Sequence, residues 1–255
     1  MTSRAATALL GGRKARRIMA GLGADAPADI EAAYRAQHEM AEMLGAVPPA
    51  GFKIGATGRQ MQAYLGMTTP AAGFIEAVNI LQSPATLRYA DFVAPGCEPE
   101  VALRLARDIA PGRITRADAA AAVGEVFAGI EIVENRFQDF RETGAPTLIA
   151  DQFFHAAVVC GAPAQGWREA DLGAIRGRVS VDGALRGEGV GADLLGHPVE
   201  ALVWLAGSPI ATLFGGLKAR QVVFLGSVTP PAWLDGPCRV TAEFDVLGKV
   251  DIHFG

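Results

Sequence analysis

Between residues 28 and 45, apolar side chains recur at the spacing of one helix face. Four of them mark that face: Ile30, Ala33, Met40 and Leu44. Asp29 precedes the first of them and has a side chain suited to an N-cap. Gly45 and the pair Pro48-Pro49 are typical of a helix end and a break after it. The pattern predicts one amphipathic helix over residues 28–45.

Most of the remaining chain alternates between short β-branched apolar runs and breaks rich in Gly, Pro and Asp, which predicts strands. The predicted strands are residues 51–55, 97–101, 128–133, 147–150, 156–159, 179–181, 221–226, 239–244 and 250–254. A turn at Asp182-Gly183 predicts a hairpin. Shorter helices are predicted over residues 60–65, 116–123 and 198–206. A strand-rich core with a helical N-terminal region indicates an α+β fold.

Composition sets limits on the function. The chain has 255 residues, half of them hydrophobic, enough for one large domain or a large and a small one. The 31 Gly and 15 Pro residues favour a turn-rich fold over a helical bundle. A net charge of −4, with both signs spread along the chain, gives no indication of a nucleic-acid or membrane partner. Three scattered cysteines, Cys97, Cys160 and Cys238, predict a reducing, cytoplasmic location.

The first twenty residues contain a basic cluster, Arg13 to Arg17, that follows a short apolar stretch. This is the wrong order for a secretory signal peptide. The lack of acidic residues there would also suit an organelle transit peptide, but a basic first helix is favoured. No apolar run is long enough to span a bilayer.

Three carboxylates are the main candidates for chemistry. Glu98 and Glu100 lie two residues apart in a predicted strand, so their side chains point to one face. Glu131 lies in a second apolar strand and could complete a triangle. Buried carboxylates require pairing, protonation or a metal, and an all-oxygen site suits a hard cation such as Mg²⁺ or Mn²⁺. The alternative is a solvated strand surface with a structural ion pair.

Further motifs follow one another between residues 32 and 254: Ala33-Tyr34 with Gln37, Gly51-Phe-Lys-Ile-Gly-Ala-Thr57, Glu98-Pro-Glu100, Glu131, Ile149-Ala-Asp-Gln152, Leu195-Gly-His-Pro198 with Trp204-Leu-Ala206, and Gly226-Ser-Val-Thr229. In this order they resemble the fumarylacetoacetate hydrolase superfamily. The closer resemblance is to its 2-keto-4-pentenoate hydratase and 4-oxalocrotonate decarboxylase branch.

The resemblance implies a mixed, strand-rich β-barrel or roll. It divides the chain into an N-terminal helical region, residues 1–50, and a catalytic domain, residues 51–255. It also implies a divalent metal on Glu98, Glu100 and Glu131, which would polarise a 2-keto or 2-hydroxy-dienoic acid substrate. Such substrates arise when aromatic rings are cleaved, and members of the superfamily form homo-oligomers.

Two departures from the family pattern affect proton transfer. The hydratases often carry Pro-Asp-Phe-Gly, and this chain has Pro70-Ala-Ala-Gly73, so the carboxylate at position 71 is absent. After Asp151, the family's Asn and small Ser-containing stretch are replaced by Gln152 and Phe153-Phe-His155. These changes concern the reaction and not the fold.

Three residues are candidates for catalysis, each with a structural alternative. Lys53 could bind a substrate carboxylate or relay a proton, or it could extend from a strand end to solvent. Asp151 could orient Lys53 and a metal-bound water, or it could be a turn or cap residue. His155 could replace the missing acid–base group, or it could be a core histidine.

Two further hydroxyl residues, Ser227 and Thr229, could bind a substrate anion or serve only as a turn. Glu134, Asn135 and Arg136 are expected to form a structural network beside the metal strand. Cys97 is expected to be an inert buried thiol.

The sequence therefore predicts a metal-dependent lyase acting on a short 2-hydroxy-dienoate or 2-keto-4-enoate, with hydration first and decarboxylation second. An acylpyruvate-type carbon–carbon hydrolase is a third possibility. The absence of Asp at position 71 and the presence of Phe153-Phe154 also leave open a non-catalytic protein that binds keto acids.

Overall fold

Two β-sheets and eight α-helices make up the structure, a computed structural model that describes residues 3–255. The helices are α1 (Arg4–Ala15), α2 (Ile30–Met43), α3 (Arg59–Tyr64), α4 (Arg116–Ala122), α5 (Phe140–Thr143), α6 (Ala145–Ala150), α7 (Pro198–Ala206) and α8 (Pro209–Leu213). The amphipathic helix predicted over residues 28–45 is confirmed as α2. Its N-cap is Asp29, whose side chain accepts a hydrogen bond from the backbone N–H of Ala32 at 2.7 Å.

The strands fall where most of the apolar runs predicted them. They are β1 (Gly51–Gly55), β2 (Ala71–Ile75), β3 (Ile80–Gln82), β4 (Ala85–Leu87), β5 (Pro95–Leu105), β6 (Val123–Glu134), β7 (His155–Cys160), β8 (Arg176–Val181), β9 (Ala184–Val190), β10 (Val222–Ser227), β11 (Ala232–Trp233), β12 (Cys238–Phe244) and β13 (Gly248–Phe254). The hairpin predicted at Asp182-Gly183 joins β8 to β9.

The larger sheet has eight strands in the order β2-β1-β10-β5-β6-β7-β3, with β11 paired to β5. The smaller sheet has five strands in the order β4-β13-β12-β8-β9. Most neighbours are antiparallel, but β1–β10, β3–β7 and β4–β13 are parallel. Buried residues of both sheets, including Ile130 of β6 and Val240 of β12, belong to one hydrophobic core. The predicted mixed α+β class with a strand-rich core is therefore confirmed.

One predicted strand is wrong. Residues 147–150 belong to α6, which begins after Gly144 and has Pro146 in its first turn. All four residues are buried. A run that is apolar on every side has neither the period of a strand nor that of a helix, so the pattern alone could not distinguish the two. The Pro at the helix start was the local signal that favoured a helix.

The N-terminal helix packs into the same core as the sheets. A first helix is present as predicted: α1, whose N-cap is Ser3, contains Arg13 and Lys14 of the basic cluster in its last turn, while Arg16 and Arg17 lie beyond its end. Ala6 and Leu9 of α1 are fully buried in the core that contains the strands. Within residues 3–255, no helix is long and apolar enough to cross a membrane.

Candidate functional site

Three carboxylates converge on the neighbouring strands β5 and β6. Glu98 lies directly opposite Glu131 in the antiparallel pair, and Glu100 follows two residues along β5. One carboxylate oxygen from each residue lies within 4.8 Å of the other two. Glu100 and Glu131 are fully buried, whereas Glu98 is partly exposed. The structure thus brings together the three side chains that the sequence predicted to converge, and their binding of a metal stays a prediction.

Lys53 and His155 both contact Glu131. The Nζ atom of Lys53 lies 3.2 Å from Oε2 of Glu131, and Nδ1 of His155 lies 2.8 Å from Oε1 of the same carboxylate. All three side chains are at most 1% exposed. Lys53 is therefore a buried ammonium and not a lysine that extends to solvent.

Burial and mutual repulsion set the ionisation of this cluster. Burial raises the pKa of Glu98 to about 8, with repulsion from Glu131 adding to the effect and Lys53 opposing it. Burial, followed by the charges of Glu131 and Glu98, raises the pKa of Glu100 well above its usual range. Burial would also raise the pKa of Glu131, but Lys53 and the hydrogen bond to His155 outweigh it and lower that pKa. Burial lowers the pKa of His155, so its ring is neutral at neutral pH.

The carboxylates fit a hard divalent cation. Oε1 of Glu100 and Oε2 of Glu131 are buried and accept no hydrogen bond from the residues described, although Oε2 has its ion pair with Lys53. Unsatisfied carboxylate oxygens in a protein interior are unfavourable unless a cation or a proton neutralises them. The donor set contains oxygen alone, as Mg²⁺ and Mn²⁺ prefer.

A bulge in β10 fixes the orientation of Glu100. The register between β10 and β5 shifts between Phe224 and Ser227, and Gly226 within the shift has φ +105°. The backbone N–H of Gly226 donates a hydrogen bond to Oε2 of Glu100 at 2.8 Å. A Cβ at position 226 would lie 2.7 Å from the side chain of Thr57, so the position requires glycine on both grounds.

The predicted anion-binding turn lies next to this bulge. Ser227 is opposite Glu100 in the ladder. Its hydroxyl donates to the carbonyl of Pro99 at 3.3 Å and accepts from the N–H of Thr229 at 3.2 Å. The hydroxyl of Thr229 donates to the carbonyl of Pro230 at 2.9 Å. Both hydroxyls therefore serve the turn, and substrate binding by them stays a prediction.

Asp151 has partners other than the expected Lys53. Its Oδ1 accepts a hydrogen bond from Nε of Arg13 at 2.7 Å, and its Oδ2 accepts one from Nε of Arg136 at 2.7 Å. Arg136 also pairs with Glu134 at 2.9 Å, as expected for a structural network beside the metal strand. Since two guanidinium groups take both carboxylate oxygens, Asp151 does not orient Lys53 directly.

Phe153 closes one side of the cluster. Nζ of Lys53 lies 5.2 Å from the centre of the Phe153 ring, within the range of a cation–π contact. The ring packs so closely on Gly55 that a Cβ there would lie 2.5 Å from it. Ala71, where the hydratases often have Asp, is fully buried and pairs with Gly55. This side of the site is therefore apolar.

Sequence reasoning missed Arg13 and did not give Phe153 a role in the site. Arg13 meets Asp151 across 138 positions of the chain, and no local signal distinguishes it from the other arginines of the basic cluster. Phe153 was visible only as a bulky residue in a stretch that the family keeps small. Its contact with Lys53 depends on the fold. Cys97 is buried, and burial raises the pKa of its thiol far above the ordinary value, as expected for an inert cysteine.

Comparison with known proteins gives consistent matches. A family model described as fumarylacetoacetate (FAA) hydrolase C-terminal matches residues 53–254. The 2-keto-4-pentenoate hydratase of Burkholderia vietnamiensis is 32% identical over 204 residues, which cover 80% of this chain and 77% of that protein. The 4-oxalocrotonate decarboxylase of a Pseudomonas species is 30% identical over 203 residues, covering 78% of this chain and 76% of that protein.

A solved structure extends the likeness to the whole chain. The 4-oxalocrotonate decarboxylase from Pseudomonas putida, complexed with magnesium and adipate, has a TM-score of 0.91 at 21% sequence identity. The superposition covers 100% of this chain and 97% of that chain. At that identity the likeness concerns the fold. The region matched by the family model, residues 53–254, includes every predicted site residue, whereas Arg13 lies outside it.

Proposed function

The chain belongs to the fumarylacetoacetate hydrolase family, and on that premise we propose that it is a divalent-metal-dependent lyase that hydrates a short 2-hydroxy-dienoate or 2-keto-4-enoate. One observation carries the proposal: a buried, oxygen-only cluster of three glutamates adjoins a buried lysine and a buried histidine. Hydratases of such acids are among the relatives that are about 30% identical.

Glu98, Glu100 and Glu131 would hold the cation, which is Mg²⁺ or Mn²⁺ in our proposal. When bound, it supplies Lewis-acid polarisation of the substrate's C2 oxygen. Gly226 orients Glu100 for this task, because its N–H occupies one carboxylate oxygen and leaves the other without a hydrogen bond. A magnesium ion in the related decarboxylase structure supports the choice of metal.

In the proposed reaction, Lys53 would supply positive charge and His155 would accept a proton. The ammonium of Lys53 keeps Glu131 ionised and presents a fixed positive charge for an anionic substrate. The neutral His155 ring has Nδ1 on Glu131, which assigns the ring proton to Nδ1 and leaves Nε2 as an acceptor. Nε2 is buried and has no partner among residues 3–255, so it is available to take a proton. Ser227 and Thr229 are proposed to bind the substrate's anionic end, which would require their turn contacts to loosen.

Decarboxylation is the second candidate. It is favoured by Ala71 and Phe153, which give the Lys53 side of the site an apolar wall where the hydratases often place an acid. Loss of CO₂ needs no activated water, so it tolerates the missing carboxylate. The decarboxylase relative at 30% identity supports it.

The deciding experiment follows product formation. The purified protein with Mg²⁺ is mixed with 2-hydroxypenta-2,4-dienoate, with 4-oxalocrotonate, and with an acylpyruvate, and the products are analysed by NMR and mass spectrometry. We expect addition of one water to the dienoate. Loss of CO₂ from 4-oxalocrotonate alone would establish the decarboxylase instead, and cleavage of the acylpyruvate would establish a hydrolase. Binding of all three acids without turnover would support the non-catalytic alternative.

Assembly and location are part of the same proposal. We infer a homo-oligomer in the cytoplasm, with residues 1–50 as a helical region attached to the catalytic residues 51–255. Cys97 and Cys160 are buried free thiols, which suits a reducing compartment. Light scattering on the purified protein gives the oligomeric state, and a monomer at micromolar concentration would contradict the first part.

A further inference from the structure

The segment between α6 and β7 has an unusual backbone. Gln152, Phe153 and Phe154 have φ values of +56°, +49° and +68°, so three consecutive residues with side chains adopt the left-handed conformation. Each of them is unfavourable there because Cβ crowds the backbone. Such a turn persists only where surrounding contacts hold it, and strain of this kind is concentrated at functional sites.

The left-handed turn presents two side chains to the glutamate cluster. Phe153, inside the turn, lies against Lys53. His155, the residue after the turn, binds Glu131 at 2.8 Å. Gln152 anchors the turn to β2, because its Nε2 donates to the carbonyl of Phe74 at 3.1 Å. A change in the turn would therefore move two groups that border the site.

Two guanidinium groups hold both ends of this turn. Nη2 of Arg13 donates to the carbonyl of Asp151 at 2.7 Å, and its Nη1 donates to the carbonyl of His155 at 3.4 Å. Nη2 of Arg136 donates to the same two carbonyls, at 3.3 Å and 3.1 Å. The carboxylate of Asp151 lies between the two arginines. Each arginine thus bridges the residue before the turn and the residue after it.

The charges of this group balance. Arg13 and Arg136 carry two positive charges, and Asp151 and Glu134 carry two negative ones. The ion pairs with the two carboxylates leave further N–H donors on each guanidinium. These arginines direct four hydrogen bonds to two carbonyls, which flank the strained residues on either side. A planar guanidinium donates several hydrogen bonds in fixed directions, so it restrains the backbone of the turn more tightly than a lysine could.

We propose that Arg13 and Arg136 are positioning residues for the reaction: they clamp the left-handed turn and so fix His155 and Phe153 against Glu131 and Lys53. The inference rests on the proposed function for the identity of the reaction. It also assigns a role to α1, because Arg13 lies on the last turn of that helix, outside the region that the family model matches. The N-terminal helix is then part of the catalytic unit.

The test compares Arg13→Ala with Arg17→Ala. Arg17 is an exposed arginine four residues further along, so its removal is a matched loss of charge. We expect kcat of Arg13→Ala to fall roughly 10- to 100-fold, as when the outer partners of a metal site are removed. KM should change much less, and kcat of Arg17→Ala should equal that of the wild type. Millimolar guanidinium should restore part of the lost kcat, since Arg13→Ala removes a partly exposed side chain and leaves space for the ion beside Asp151.

Arg13→Lys covers the case in which Arg13→Ala does not fold. It keeps the charge and most of the stem, but its single ammonium nitrogen lacks the spacing of the three guanidinium nitrogens that reach the carboxylate and both carbonyls. Its kcat should also fall. Full activity in every Arg13 variant that folds would overturn the clamp, whatever the stability of the variants.

Two readouts need no turnover and separate this inference from the proposed function. Hydrogen exchange of the peptide covering residues 151–157 should accelerate in Arg13→Ala and not in Arg17→Ala. The affinity for Mn²⁺ should weaken in the same variant, because His155 hydrogen-bonds Glu131, one of the proposed metal ligands. If the wild type converts no keto acid, the proposed function fails, and these two results then decide the clamp. Exchange and affinity equal to those of Arg17→Ala would overturn it.

Discussion

The ammonium of Lys53 lies 3.2 Å from the carboxylate of Glu131, although their strands are not neighbours. Between β1 and β6 lie β10 and β5, so three inter-strand steps separate the two backbones. In a flat sheet this separation is about 14 Å, at about 4.8 Å for each step. The contact therefore requires the sheet to curl around the cluster. Lys53, the glutamates and the cation they are proposed to bind form one coupled electrostatic unit.

The first prediction concerns the metal. Titration of Mg²⁺ or Mn²⁺ into metal-stripped protein should show about one tight site per chain. Glu100→Gln and Glu131→Gln should each weaken binding at least tenfold, because each removes a charged oxygen donor at nearly constant volume. Isothermal titration calorimetry measures both. Glu125→Gln is the control, since Glu125 lies on the same strand as Glu131 but pairs with Arg104. Unchanged affinity in the two site variants would reject the assignment.

A second prediction follows from the raised carboxyl pKa values. Burial raises the pKa of Glu98 from 4.5 to about 8, and its carboxylate sits within the cluster although the residue is partly exposed. Between those two values, the folded protein binds a proton that the unfolded chain has lost. The free energy of unfolding of the metal-free protein should therefore fall as pH rises. Glu100 shifts in the same direction.

The window from about pH 7 to about pH 8 favours this effect, because above it the buried thiols of Cys97 and Cys160, whose pKa values burial raises, add a loss of the same sign. Burial lowers the pKa of His155, so its ring is neutral in the folded protein throughout that window, and it is mostly neutral in the unfolded chain, where the ordinary value is near 6.5. Urea unfolding in EDTA should show a loss on the order of 1 kcal/mol or more between the two ends. Saturating Mg²⁺ should remove or reverse the trend, because the cation competes with protons for the same oxygens. A metal-free protein equally stable at both ends would show that the carboxyls are already ionised at neutral pH.

Local signals predicted α2 and the longer strands, but not the short strands β2, β3, β4 and β11. Asp29 and Gly45 bracket α2, and Asp182-Gly183 turns the hairpin, because caps and turns depend on residues close in sequence. Residues 147–150 could not be assigned in this way, since a fully buried run has no polar positions to show its period. The pairing of β1 with β10, far along the chain, has no local signal either.

In the candidate site, too, features set by nearby residues could be predicted, and contacts between distant positions could not. Glu98 and Glu100 could be placed on one face from the period of a strand alone. Asp151 was found by resemblance, but its arginine partners were not, because the Arg13 contact spans 138 positions. The left-handed turn could not be predicted for another reason. Left-handed backbone is usually recognised in a sequence by glycine, and the turn contains Gln152, Phe153 and Phe154 instead.

Lys53 should matter more for activity than for the fold of the metal-bound protein. Lys53→Met keeps most of the apolar stem and removes the charge that faces Glu131. We expect turnover to be nearly abolished, while the melting temperature with saturating Mg²⁺ stays within a few degrees of the wild type, since the cation replaces the lost positive charge. Without metal the variant should be less stable, because Glu131 is left buried without its ammonium partner.

Lys249→Met provides the comparison for this variant. Lys249 is an exposed lysine of β13 and pairs with Asp251 at the surface. Its loss should leave turnover and the effect of metal unchanged. Native kinetics in a folded Lys53→Met protein would remove Lys53 from the mechanism.

The last prediction concerns His155 as the group that moves protons in place of the carboxylate absent at Ala71. Its ring is buried, with Nδ1 on Glu131 and Nε2 free of partners among the described residues. Burial lowers its pKa from the ordinary value near 6.5, and the neutral ring is the form that accepts a proton. The rate should therefore rise with pH along a limb that lies below that value. His155→Gln should remove the limb and lower kcat by about two orders of magnitude or more, the typical contribution of a positioned acid–base group. His253→Gln, at an exposed position of β13, should change neither. If the limb and the rate survive in His155→Gln, the ring serves packing alone and Lys53 becomes the residue to test for proton transfer.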